Sequence, residues 1–203
     1  MKTKDHFFKA VCTLAIPVAL QSMLQSSFSM VDQIMIGQLG EINVAGVGLA
    51  GKFASIYSVV ISAIGAVAGI MIAQYLGQKN RSEVRRSFFT NLLLGAGIAG
   101  MFMVICTLFP NQIMGAYTRD VQTRQAAAEY LMLISGTFVP MAGATLLSTL
   151  FRCLEKPRLP LYASILSALL NTGLNYIMIF GKLGISPMGV RGAAFATVIS
   201  QCA

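Results

Sequence analysis

Four polar residues interrupt an apolar run near the amino end of the chain. Gln21, Gln25, Ser29 and Asp32 lie within IPVALQSMLQSSFSMVDQIMIGQLG, residues 16–40. Spacings of four, four and three stack them along one face of a helix, while Leu, Met, Val, Ile and Phe cover the opposite face. The run is apolar enough to cross a bilayer, where a carboxylate costs about 2.5–3.5 kcal/mol on insertion scales. A polar stripe leading up to that carboxylate calls for a cavity against this helix rather than lipid. Asp32 is therefore the first candidate for binding a cation or a proton. The plainer reading, a carboxylate that caps the helix or snorkels from its end, leaves the stripe unexplained. A second pair, Asn171 and Asn175, is four residues apart on a later apolar stretch and also shares a face. Two carboxamides in hydrocarbon need partners. They serve either as interhelical glue or, beside Asp32, as oxygen ligands for a small cation or a nest around a titratable carboxyl. Nothing suggests catalysis, since the chain has no nucleophile–base pair, phosphate loop or metal cluster.

The elements that must position these residues are membrane helices. The 203 residues are 56% hydrophobic and 11% charged, with mean hydropathy +0.71, whereas soluble domains carry about 25% charged residues. A net charge of +8 looks like a nucleic-acid signal until the charges are placed. Most basic residues fall in short loops, so the partner is the lipid bilayer and not nucleic acid. Cys12, Cys106, Cys153 and Cys202 are scattered, without CxxC or Cys/His clustering, and read as small buried hydrophobes. His6 reads as a surface residue of a solvated, basic terminus.

Apolar runs predict helices over 10–36, 44–75, 87–109, 126–151 and 159–180, with a sixth over 192–203. The fold class is all-α: a polytopic membrane bundle of five full spans and a truncated sixth. The last run allows roughly 18 Å of rise against a core of ~30 Å, so the chain is expected to be incomplete as a membrane protein. Pro17 should weaken or bend the first helix. Gly65 and Gly69 form a small-xxx-small pair suited to close helix packing. Lys52 lies within the second span and must reach a cavity or an interface. Lys and Arg concentrate in the N-terminus and in the second-to-third and fourth-to-fifth loops. The positive-inside rule then predicts a cytoplasmic N-terminus in the plasma membrane.

Several of these stretches resemble the multidrug and toxic compound extrusion (MATE) transporters. VDQIMIGQLGEINVAGVGLA is similar to the family's junction of first and second helices, and AQYLGQKN to the run leaving the second. RCLEKPRLP, NTGLNYIMIFG and GVRGAAFAT resemble the fifth helix and the start of the sixth. The motifs fall in the family's order and cover the whole chain. The resemblance implies the N-terminal six-helix lobe of a twelve-helix, two-lobe transporter, with the C-terminal lobe missing. It implies that Asp32 couples transport to a cation or proton, with Asn171 and Asn175 beside it. The second of these two positions is acidic in some members and Asn here. Pro17 matches a helix-bending proline. A sixth-helix ligand, Thr in some members, falls at Ala193 or Thr197.

The combined expectation is half of a secondary antiporter that exports organic, often cationic, molecules in exchange for Na⁺ or H⁺. It needs no cofactor and no metal beyond Na⁺ at Asp32, Asn171 and Asn175, and Gln21, Gln25 and Ser29 line its cleft. Proton or Na⁺ and the substrate would compete for one negative charge. Two rivals stand beside this expectation. A lipid or lipid-linked saccharide flippase of the same superfamily would place several cationic residues in its cleft, where here Lys52 alone qualifies. A structural membrane protein would use the polar face for assembly.

Overall fold

The computed structural model describes residues 2–182 and 186–202, with side chains from residue 15 onward. The side chains of the basic terminus, His6 and Cys12 among them, and part of the turn after residue 180 lie outside the described residues. Among the described residues the chain is helical, with no strand. The order is α1 (Lys2–Gly37), α2 (Glu41–Gly77), α3 (Arg81–Leu108), α4 (Pro110–Gly115), α5 (Val121–Ile134), a 3-10 turn (Ser135–Thr137), α6 (Phe138–Cys153), α7 (Arg158–Phe180) and α8 (Gly189–Cys202). Among the described residues, α2, α3, the α5–α6 stretch Val121–Cys153 and α7 are long and apolar enough to cross a membrane. The 36-residue α1 is long enough as well, but its polar stripe lowers its hydropathy.

Three departures from the sequence expectation have local causes. The basic stretch before residue 87 is the first turn and a half of α3. Asn80 caps it by accepting from the Glu83 amide at 3.3 Å, an N-cap arrangement that satisfies an otherwise orphan donor. The connection after Phe109 contains α4, with Pro110 at its first position, where the missing amide costs nothing. The single helix expected over 126–151 is broken. Pro140 has no amide to offer the Gly136 carbonyl and its ring crowds that group, so the chain tightens into a 3-10 turn at Ser135–Thr137. Pro17 has no such effect: α1 runs through it without interruption.

The helices pack as two groups. α2 lies against α3, α5 and α6, while α7 lies between α1 and α8, and α5 meets α8 across the join. The first group is centred on Tyr57, which stacks on Phe138 at 4.4 Å between ring centroids and meets Phe102 at 5.5 Å. The Tyr57 hydroxyl donates to the Phe138 carbonyl at 2.6 Å, just past the break, so the core's largest polar tip is satisfied where it is buried.

Small residues set the spacing between helices. A methyl group on Gly46 would stand 3.0 Å from the Ala127 amide of α5, and one on Gly69 would stand 3.0 Å from the Thr149 methyl of α6. The closest approach is at Gly192, where an added Cβ would lie 2.7 Å from the Met178 carbonyl oxygen of α7. Gly48 has nothing within 4 Å. Gly192→Ala should therefore force α8 off α7 and destabilise the protein by about 1–3 kcal/mol, the usual range for overpacking, while Gly48→Ala should not destabilise it. Thermal unfolding of the purified variants in one detergent checks this; equal melting temperatures for Gly192→Ala and wild type would refute it.

Candidate functional site

The α1 stripe is split by the fold. Gln21 is buried at 9% exposure and Asp32 is half-buried, both turned into the bundle, whereas Gln25 and Ser29 are exposed beside Ser22, Ser26 and Gln33. Met23, Met30 and Ile34 form the opposite exposed flank. The helix thus has an inner face, a polar flank and an apolar flank suited to lipid.

Asp32 meets α7. The Asn175 Nδ2 donates to Asp32 Oδ1 at 2.7 Å and to Asn171 Oδ1 at 3.1 Å. Asn171 in turn reaches α8, its Nδ2 donating to Thr197 Oγ1 at 3.3 Å and to Ser200 Oγ at 3.2 Å. One turn further along α7, the Ser167 hydroxyl donates to the Ser200 carbonyl at 2.6 Å. A polar ladder therefore runs from α1 across α7 to α8. Of the two α8 positions singled out in the sequence, Thr197 supplies the hydroxyl and Ala193 supplies the carbonyl that Thr197 donates to, at 2.9 Å. Thr197 and Ser200 each donate to their own helix backbone and keep lone pairs for Asn171.

The ladder contains a conflict at its Asp32 end. The side-chain atom of Asn171 nearest the carboxylate lies 2.9 Å from Asp32 Oδ1 and 2.8 Å from Oδ2, and also 3.1 Å from the Asn175 nitrogen. Three polar atoms in mutual contact cannot alternate as donor and acceptor around an odd ring. With the Asn171 oxygen facing Asp32, two acceptors meet. With its nitrogen there, it gains the carboxylate but meets the Asn175 nitrogen. Turning Asn175 as well sets the Asn175 oxygen against Asp32. An ionised Asp32 on its own leaves at least one like pair in every assignment of the two amides. A proton on Asp32 Oδ2, donated to the Asn171 oxygen, relieves the conflict by turning one of the two oxygen–oxygen contacts into a hydrogen bond, and a cation shared by those oxygens relieves both.

Residues that the sequence reading passed over also belong here. Ser167 extends the Asn171–Asn175 spacing backward by four, a signal that was legible. Ser200 lies three residues after Thr197 and has no apolar contrast to mark it. Tyr130 of α5 is buried at 6% exposure, within range of the Asp32 charge, and no local pattern distinguishes it from a core aromatic. Lys52 is exposed on α2. Gln21 is tied instead to the end of α6, where the Arg152 guanidinium donates to its Oε1 at 3.2 Å. Among the described residues no group of three or more His, Cys, Asp or Glu is arranged for a metal ion.

The ladder can be weighed against a hydroxyl outside it. Thr172 Oγ1 is buried without a partner, while Thr197 Oγ1 serves Asn171. Thr197→Val should destabilise by about 0.6 kcal/mol, and by at most about 1.7, as for other interhelical hydrogen bonds in membranes. Thr172→Val removes an unsatisfied group and should leave stability unchanged or raised. Paired thermal unfolding curves test the contrast, and a Thr172→Val loss larger than that of Thr197→Val would contradict the bonding described.

The chain matches the MatE family model over residues 17–177. It is 31% identical over 201 residues to a Thermotoga maritima protein described as probable multidrug resistance protein NorM, covering 95% of this chain and 42% of the relative. A Streptococcus pneumoniae protein of the same description is 25% identical, with 98% and 44% covered. The chain thus spans less than half the length of these curated relatives. Among solved structures, an outward-facing multidrug resistance MATE family transporter superposes with TM-score 0.86 at 21% identity, over 95% of this chain and 42% of that one. A MOP superfamily transporter from Pyrococcus furiosus gives TM-score 0.86, 21% identity and the same coverage. At that identity the superpositions speak for the fold. The family match carries the rest: from Pro17 through Asn175 it spans the helices that build the ladder between α1 and α7, and the chain belongs to the MatE family.

Proposed function

We propose that this chain is the N-terminal lobe of a multidrug exporter that exchanges organic, often cationic, substrates for H⁺ or Na⁺ at Asp32. The observation that carries the reading is the odd ring of Asp32, Asn171 and Asn175, whose conflict a proton or a cation relieves. A site with that property takes up and releases a positive charge without rebuilding the fold. The family membership and the description of relatives as multidrug resistance proteins support the substrate class.

The mechanism follows from charge balance. With H⁺ or Na⁺ bound, Asp32 is neutralised and a cationic substrate has no counter-charge in the cleft. When the coupling ion leaves, the carboxylate attracts the substrate. Competition for one negative charge then links the two flows in opposite directions. Asn171 and Asn175 orient the carboxylate, and Thr197 and Ser200 hold Asn171 in turn. Gln25 and Ser29, on the polar flank of α1, line the substrate side. Each state favours different hydrogen bonds between α1 and α7, and that difference can bias a conformational equilibrium of α1. The exposed polar flank calls for a second lobe, since uncovered polar groups in hydrocarbon cost several kcal/mol. We assign the basic end of the bundle to the cytoplasm by the positive-inside rule.

Three measurements test this reading. A fluorescent cationic dye should bind the full-length reading frame, binding should weaken as pH falls or as Na⁺ rises, and Asp32→Asn should lower affinity at least tenfold and abolish that dependence. Undiminished, ion-sensitive dye binding by Asp32→Asn would remove Asp32 from the mechanism. In cells lacking their own exporters, these 203 residues alone should give no efflux and a frame extended through a second lobe should restore it. Energised efflux by the 203 residues, lost on Asp32→Asn, would show that two copies suffice. Cysteines placed over residues 78–86, from the end of α2 into the first turns of α3, should be protected from impermeant reagents in intact cells; labelling there would invert the topology.

A further inference from the structure

Arg152 stands out among the charged side chains because of where it points. It occupies the last turn of α6, where a basic residue is favoured by the helix dipole and would ordinarily extend to water. Arg152 is exposed, and because side chains on a helix lean toward its N-terminus it also borders the preceding turns of α6. It lines a groove between α2 and α6 together with Ser62, Gly65, Gly69, Thr145 and Thr149. The groove has a volume of about 320 Å³, the lower end of the range for small-ligand sites. Its small walls follow from the Gly65–Gly69 pair, which brings the Thr145 and Thr149 methyls to 3.2 and 3.0 Å from where glycine Cβ atoms would be.

The guanidinium is under-used. Among the described residues the ion pairs are Arg86–Glu83 and Arg191–Glu129, so Arg152 has no carboxylate partner. Its side-chain acceptor is the neutral Gln21 oxygen at 3.2 Å, one contact for a group with five N–H donors in a planar fork. The Gln21 amide nitrogen adds donors at the same point, and the Ser62 hydroxyl lies in the groove wall. Thr145 and Thr149 donate to their own helix backbone and are acceptors toward the groove.

We infer that Arg152 and Gln21 form an oxyanion site at the basic end of the α2–α6 groove, which takes the phosphate head of a small organic phosphate or of an anionic lipid. The bidentate fork of Arg152 matches two phosphate oxygens, and Gln21 holds the fork in place and supplies a further donor. The site is distinct from the Asp32 ladder, which begins eleven residues further along α1, roughly 16 Å away at 1.5 Å per residue. It has the opposite charge and stands whether or not Asp32 couples transport.

The test uses the full 203-residue chain in nanodiscs, with phenyl phosphate and inorganic phosphate as soluble probes measured by calorimetry. In neutral phosphatidylcholine discs, phenyl phosphate should bind more weakly as salt rises, and Arg152→Gln should reduce affinity at least tenfold. Arg152→Lys should retain part of the binding, since charge remains but the fork is lost. Arg158→Gln and Asp32→Asn should bind as wild type. In discs containing phosphatidylglycerol, loss of phenyl phosphate binding in wild type identifies the lipid head group as occupant, and unchanged binding identifies a soluble phosphate. Melting temperatures of all variants separate lost binding from lost fold, and Arg152→Lys carries the test if Arg152→Gln does not fold. The inference is overturned if phenyl phosphate and inorganic phosphate both fail to bind in neutral discs. It is equally overturned if Arg152→Gln binds like wild type, or if Arg158→Gln weakens binding as much as Arg152→Gln, which would indicate diffuse surface charge.

Discussion

One constraint governs this chain: a carboxylate within a membrane helix must find its hydrogen bonds inside the protein. Water is not available in the bilayer core to satisfy Asp32, and each orphaned polar group there costs several kcal/mol. The consequence spreads outward in steps. Asp32 takes a donor from Asn175, and Asn175 needs its neighbour Asn171 at one turn's distance. Asn171 needs the hydroxyls of Thr197 and Ser200. The first helix and the last two are thereby set in register by polar contacts rather than by the shapes of Leu and Ile. Hydrocarbon packing is poorly directional in lipid, where there is little apolar driving force between helices. Polar contacts are directional, so they fix which faces of α1, α7 and α8 meet.

The fold was more legible in the sequence than the site was. Apolar runs of twenty or more residues with basic loops between them have few alternatives to a helical membrane bundle, and the helices fall where those runs are. Their ends were less legible. Asn80, with Glu83 three residues later, is an N-terminus signal, yet the density of charge there suggested a loop. The break at Ser135–Thr137 follows from Pro140, whose effect on the carbonyl four residues back is a local rule. Pro17 is subject to the same rule and produces no break, so the sequence alone does not say which proline interrupts its helix.

Within the site, Asp32, Asn171 and Asn175 were visible because polar groups at helical spacing contrast with apolar neighbours. Their pairing across 143 residues follows from the same expense that made each conspicuous: costly groups on different helices satisfy one another. The four-residue stripe on α1 was less informative than it looked. Its members are spread over enough of the helix circumference that Gln21 and Asp32 turn inward while Gln25 and Ser29 face out. Serine and threonine were hard to read because they can satisfy themselves on their own helix backbone, so their presence implies no partner. Arg152 was misread for a different reason. The fourth helix was expected to end at residue 151, and the place of Arg152 beside the α2–α6 groove depends on α6 continuing to Cys153.

The two polar ties of α1 differ in a way that bears on motion. Gln21, four residues past Pro17, where the helix lacks a backbone donor and resists bending least, is held by the single hydrogen bond that its Oε1 accepts from Arg152. Asp32 is held by a ring that cannot be satisfied in one of its charge states. A helix pinned by two satisfied networks would be rigid; one whose outer pin changes energy with a single proton or cation has two arrangements close in free energy. On the coupling proposed at Asp32, the ring would supply the difference between states and Pro17 a place to express it. Packing elsewhere then decides how far the change travels. α1 packs far more extensively against α7 than against α2, so any shift of α1 acts first on α7. The small residues along α2 leave little side-chain bulk in the way.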